Sequence, residues 1–102
     1  MANGVGIDKK ISNPLNNLEK LVVMYKNELE SFISQFECLG SVRYYAYKEF
    51  DSVEYVYSIE NLQNKTLSEF LPILDLIEDH MEKFCINNGI YEFYLDVRTF
   101  IE

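Results

Sequence analysis

Two apolar seams of helical period and three stretches of period two organise this chain. Leu15, Leu18, Val22, Tyr25, Leu29, Phe32 and Phe36 recur at alternating steps of three and four residues, which lines them up along one side of a helix. Asn13-Pro14 gives that helix a start, Asn as cap and Pro in the first turn where its missing N–H is harmless. Leu39-Gly40 is its expected end, with Gly taking the left-handed turn. In a chain that also carries strands, such a seam packs against a sheet; a coiled-coil contact is the alternative.

Val42, Tyr44 and Ala46 then alternate with Arg43, Tyr45 and Tyr47, and Val53, Tyr55, Tyr57 and Ile59 alternate with Glu54, Val56, Ser58 and Glu60. A loop of even length near Glu49-Phe50-Asp51-Ser52 opposes the two mainly apolar sets, whereas an odd loop would turn Glu54, Ser58 and Glu60 into the core. The pattern therefore predicts an even-looped hairpin. Thr66-Leu67-Ser68-Glu69 has the spacing of a capping box. Leu67, Phe70, Leu74, Ile77, Met81 and Phe84 follow as a second helical seam, in which Pro72 is expected to introduce a kink or delay the start. Asn87-Asn88-Gly89 closes it. From Ile90 to Ile101, Tyr91, Phe93, Leu95 and Val97 alternate with Glu92, Tyr94, Asp96 and Arg98, which reads as a third strand.

The order α-β-β-α-β predicts an α+β fold of two layers: a three-stranded antiparallel sheet with two helices on one face, the third strand lying beside the first. Residues 1–12, with Gly4, Gly6 and three charges, read as a flexible N-terminal arm or at most a short edge strand, and residues 13–102 as a single domain. A 102-residue chain buries enough surface to fold without a metal or disulfide.

On this layout Tyr44, Tyr55, Tyr57 and Tyr91 face the helices. Arg43, Tyr45, Tyr47, Glu54, Val56, Glu92, Tyr94, Asp96 and Arg98 share the opposite face, which no predicted element covers. Tyrosines on a bare sheet face suit a protein contact, because Tyr is enriched where partners bind. They also suit cross-strand pairing in water, or a face covered by the N-terminal arm folding back.

Charge adds a second candidate surface. The chain carries a net charge of −8, and residues 66–102 hold most of it, with eight acids against Lys83 and Arg98. Within that half, Asp75, Glu78, Asp79 and Glu82 form a strip at helical spacing, with Glu69 nearby. Asp75/Asp79 and Glu78/Glu82 are like charges four apart, each pair unfavourable by roughly 0.2–0.5 kcal/mol, and Lys83 relieves only Asp79. Such a surface excludes direct binding of nucleic acid or anionic lipid and favours either solubility or a basic partner.

Catalytic chemistry finds little footing. His80 is the sole histidine, Cys38 and Cys85 are too far apart for a metal-ligand pair, and all four glycines fall in the arm or at helix ends. No cofactor and no metal site is expected, and no catalytic residue is assigned. The remaining enzymatic idea is convergence of Glu54, Glu92 and Asp96 with Tyr94 and Arg98 on the open face. Two free thiols and no apolar run of membrane length lead to the expectation of a cytoplasmic, non-enzymatic protein. The residues point first to an inhibitor, immunity or anti-defence module that mimics nucleic acid in charge and occludes a basic, nucleic-acid-handling site on a partner protein. The alternative is a self-associating adaptor, a homodimer formed through the tyrosine face.

Overall fold

A computed structural model describes residues 14–102. The proposed arm, residues 1–12, lies outside the described residues. Helix α1 spans Pro14–Ile33, strand β1 Leu39–Glu49, β2 Ser52–Asn61, helix α2 Leu67–Asn87, the short helix α3 Tyr91–Leu95 and strand β3 Val97–Ile101. The fold is α+β with the principal elements in the expected order.

The hairpin has an even loop. Glu49 pairs with Ser52, so Phe50 and Asp51 form a two-residue turn, and Phe50 takes φ = 54° to make it. Val42 then opposes Ile59 and Tyr44 opposes Tyr57, which puts the apolar set together as the pattern requires.

The sheet is mixed rather than antiparallel. Its order is β1-β2-β3: β2 is central, antiparallel to β1 and parallel to β3, so β3 does not lie beside β1. The backbone N–H of Tyr55 donates to the Asp96 carbonyl and that of Glu102 to the Ile59 carbonyl, each at 2.9 Å, closing the two ends of the parallel ladder. The reason lies in the strands' outward residues. β2 is buried without interruption from Tyr55 to Ile59, including Val56 and Ser58, as befits a strand flanked on both sides. β1 carries exposed Arg43, Tyr45, Tyr47 and Lys48, which suits an edge.

The third strand is also shorter than its alternation implies. Residues 91–95 coil into α3, and only Phe93 of that turn is buried; Leu95 is 64% exposed. The chain must cross from the end of α2 to the start of a strand parallel to β2, and α3 makes that crossing. Gly40 is a further correction. α1 ends at Ile33, and Gly40 lies within β1, where a Cβ would come within 2.5 Å of Glu60 Oε1. Gly89 does take the left-handed turn after α2, at φ = 69°. α2 begins at Leu67 and runs through Pro72, so its start is not delayed.

Both long helices pack on one sheet face. Val22, Tyr25, Leu29 and Ile33 of α1 meet Phe70, Ile77, Met81 and Cys85 of α2 over Val42, Tyr55, Tyr57 and Ile59. Burying each large side chain of this set contributes about 1.5–3 kcal/mol. Aromatic rings form its centre: Tyr25 and Tyr57 lie 4.7 Å apart by centroid, Tyr55 and Phe93 5.0 Å. His80 ties the helices at the rim, its ring stacked on Phe32 at 4.1 Å and its Nε2 2.7 Å from Glu28 Oε2.

Candidate functional site

The sheet face turned away from the helices carries the side chains that alternate outward from β1, β2 and β3. Tyr45 and Tyr47 come from β1, Glu54 and Val56 from β2, and Arg98 and Phe100 from β3; together they line a shallow groove of about 440 Å³. Tyr45 is 44%, Tyr47 62% and Phe100 43% exposed, while Val56 forms the buried floor at 5%. The registers Tyr45↔Val56 and Tyr47↔Glu54 on one side, and Val56↔Arg98 on the other, set these side chains in rows across the sheet.

Each arginine of this face is paired with a carboxylate of the same chain. Arg98 Nε donates to Glu54 Oε2 at 2.8 Å, and Arg43 to Glu102 Oε2 at 2.7 Å. Glu102 also accepts a 2.6 Å bond from the Ser58 hydroxyl, and these two donors, Ser58 first, hold its carboxyl below the usual carboxylate range. At one end of the face Glu60 accepts from both the N–H and the hydroxyl of Ser41.

Three residues expected here lie elsewhere. Glu92 and Tyr94 belong to α3, and Asp96 ends that helix. The Tyr94 ring packs against the helix-side core, and its hydroxyl donates to the Glu78 carbonyl at 3.3 Å; burial raises its pKa. Tyr91, expected in the core, is 39% exposed and stacks on Tyr94 at 5.8 Å. The imagined convergence of Glu54, Glu92 and Asp96 with Tyr94 and Arg98 therefore does not form: only Glu54 and Arg98 meet, and they neutralise one another. Phe100, Ser58 and Glu102 are the members that sequence reasoning missed. Phe100 was legible from the strand's own alternation, since it follows Arg98 by two.

The acidic strip lies on the other side of the molecule. Asp75 and Asp79 project from α2 directly opposite its buried line of Phe70, Ile77, Met81 and Cys85. Glu78 and Glu82 turn toward α3, where the Tyr91 hydroxyl reaches Glu82 at 3.5 Å. Among the described residues the strip meets two cations, Lys83 at Asp79 (3.0 Å) and Lys65 at Glu69 (3.9 Å). Glu69 is committed to the helix start. Its Oε1 accepts from the Thr66 N–H at 2.8 Å and from the Thr66 hydroxyl at 3.1 Å, which lowers its pKa. Leu71, Leu76 and Ile86 stand exposed beside the carboxylates, at 49%, 54% and 55%.

A second groove, of about 910 Å³, runs on the helix side between α1 and the outer half of the hairpin, with Leu18, Val22, Tyr44, Ala46, Val53 and Tyr55 among its walls. Among the described residues, no group of three or more His, Cys, Asp or Glu side chains is placed to hold a metal ion. Both cysteines are buried and free, and burial pushes the Cys85 thiol up to about 11, which makes it a poor nucleophile at neutral pH. No described helix is long and apolar enough to cross a membrane. Compared with known proteins, the chain matches no family model, no curated protein and no solved structure.

Proposed function

We propose that this chain is a small acidic protein-binding module that docks on a basic, nucleic-acid-handling surface of a partner protein in the cytoplasm and blocks it. Asp75, Glu78, Asp79 and Glu82 stand in for phosphates, and Leu71, Leu76 and Ile86 supply the apolar contact between them. The observation that carries this reading is the outer surface of α2, where carboxylates four residues apart sit beside three exposed aliphatic side chains. Neither feature stabilises the isolated chain: the like charges repel, and the aliphatic groups gain nothing in water. A basic partner offsets both. The tyrosines do not belong to this contact, because the sheet face and the outer side of α2 point in opposite directions.

The mechanism is occlusion steered by charge. Long-range attraction accelerates encounter and fades as salt shortens its reach, while the aliphatic contacts set the rate of release. The test compares proteins captured from a lysate by the wild-type chain and by Asp75→Lys/Asp79→Lys, at low and near-molar salt. A partner retained by the wild type at low salt, and lost both from the wild type at near-molar salt and from the variant at low salt, supports the reading. Partners indifferent to both salt and substitution sink it.

A further inference from the structure

We infer that the groove-bearing sheet face pairs with the same face of a second copy of this chain about a twofold axis. The argument begins with charge. At a net −8, two copies repel one another over most of their surfaces, most strongly where α2 presents its carboxylates. The sheet face is the exception. Its two arginines are each matched by a carboxylate of the same chain, Arg43 by Glu102 and Arg98 by Glu54, so the centre of the face is close to neutral. A basic partner has no reason to prefer it, and a like-charged copy meets its least resistance there.

The chemistry of the face is also self-complementary, as an isologous contact requires. Tyr45, Tyr47 and Phe100 rise on the walls and Val56 forms a depressed floor, so a ring of one copy can enter the groove of the other. Both arginine side chains stay about two-thirds exposed, 68% for Arg43 and 70% for Arg98. Each bonds its own carboxylate through one nitrogen and keeps further N–H donors for a neighbour's Glu54 or Glu60. Such bridges add carboxylate–arginine bonds across the axis without leaving an unpaired charge.

The face is large enough for a specific contact. The 11 residues of β1, the paired length of β2 and the 5 residues of β3 make a face of roughly 400 Å² in projection at strand spacings of ~4.8 Å. Two such faces with side-chain relief bury roughly 1,000 Å², the lower bound for a specific interface, which fits a weak, reversible dimer.

Sedimentation equilibrium of the full chain over a wide concentration range, at low and near-molar salt, tests the pairing. A reversible dimer that tightens as salt screens the −8 repulsion is expected, opposite in sign to the weakening predicted for a basic partner at α2. Tyr47→Asp and Phe100→Ser should each weaken it by about tenfold or more, with far-UV circular dichroism unchanged because neither side chain belongs to the buried core. A chain that stays monomeric at high micromolar concentration overturns the inference. So does a dimer that both substitutions leave intact. Either result leaves the α2 reading standing, since that surface lies on the far side of the molecule.

Discussion

Tyr57 on β2 donates its hydroxyl proton to the main-chain carbonyl of Val22 on α1, at 2.9 Å in the interior of the protein. This single bond locks the first helix to the central strand at a fixed height. It also explains how a wholly buried phenol is tolerated, since an unpartnered hydroxyl there would be strongly unfavourable. Tyr57→Phe keeps the ring and removes the bond, and should destabilise the fold by about 1 kcal/mol. Tyr57→Ala also removes the packing with Tyr25 and Tyr44, and should destabilise by about 3–5 kcal/mol. Chemical denaturation midpoints distinguish the two; equal losses would mean that the hydroxyl, rather than the ring, holds the helix.

Alkali should unfold this protein through its buried phenols. Burial drives the pKa of both Tyr25 and Tyr57 well above the ordinary 10.0, while the unfolded chain ionises them at that ordinary value. The folded state then binds more protons than the unfolded one above pH 10, and stability falls as pH rises from there. Phenolate absorbance followed alongside circular dichroism should show the last tyrosines ionising together with loss of structure. Full ionisation of all eight with the dichroism intact would contradict the burial.

Acid should act at the opposite end of the scale, through Glu102. Its folded pKa lies below the ordinary 4.5, first because of the Ser58 hydroxyl and then because of Arg43. A lowered carboxylate contributes stability above that ordinary value and loses it as pH falls through the folded one. Glu69, bound by Thr66, adds to the same slope. The melting temperature of Glu102→Gln should therefore decline less steeply on acidification below pH 4.5 than that of the wild type, and parallel curves would remove Glu102 from the account.

The hairpin tip stores strain. Phe50 holds a positive φ of 54°, which a side chain with a Cβ adopts at some expense, and its ring is 92% exposed. Phe50→Gly gives up no packing and relieves about 1–2 kcal/mol of left-handed strain, against about 0.5–1 kcal/mol of added chain entropy to be lost on folding, so a small net stabilisation is expected. A loss of thermal stability instead would place the ring in a contact that helps hold the fold.

Period and register were readable from residue order because each is a local property. Leu18, Val22, Tyr25 and Leu29 repeat as a helix repeats, and Val42, Tyr44, Tyr55 and Tyr57 alternate as paired strands alternate, so one buried face determines the loop parity. Strand neighbours were not readable in the same way. Whether β3 joins β1 or β2 depends on which edge is the more deeply covered, and that emerges only when Val56 and Ser58 are seen to be buried on the side away from the helices. The stretch 91–95 misleads for a related reason: Tyr91, Phe93 and Leu95 alternate by type, yet only Phe93 is drawn inside. That error removed Glu92, Tyr94 and Asp96 from the sheet face, and Phe100 takes their place there. The acidic strip was legible because it depends on α2 alone.

The parallel pairing of β2 with β3 imposes a schedule on folding. The β1–β2 hairpin closes over a two-residue turn, whereas Tyr55 finds Val97 only after all of α2 has been threaded between them. Loop-closure entropy makes the second ladder the later event, and until it forms β2 presents a bare hydrogen-bonding edge to neighbouring molecules. Chevron kinetics should accordingly show Thr99→Ala hastening unfolding and Ala46→Gly slowing refolding. The interval before β3 docks is when this chain is most exposed to aggregation.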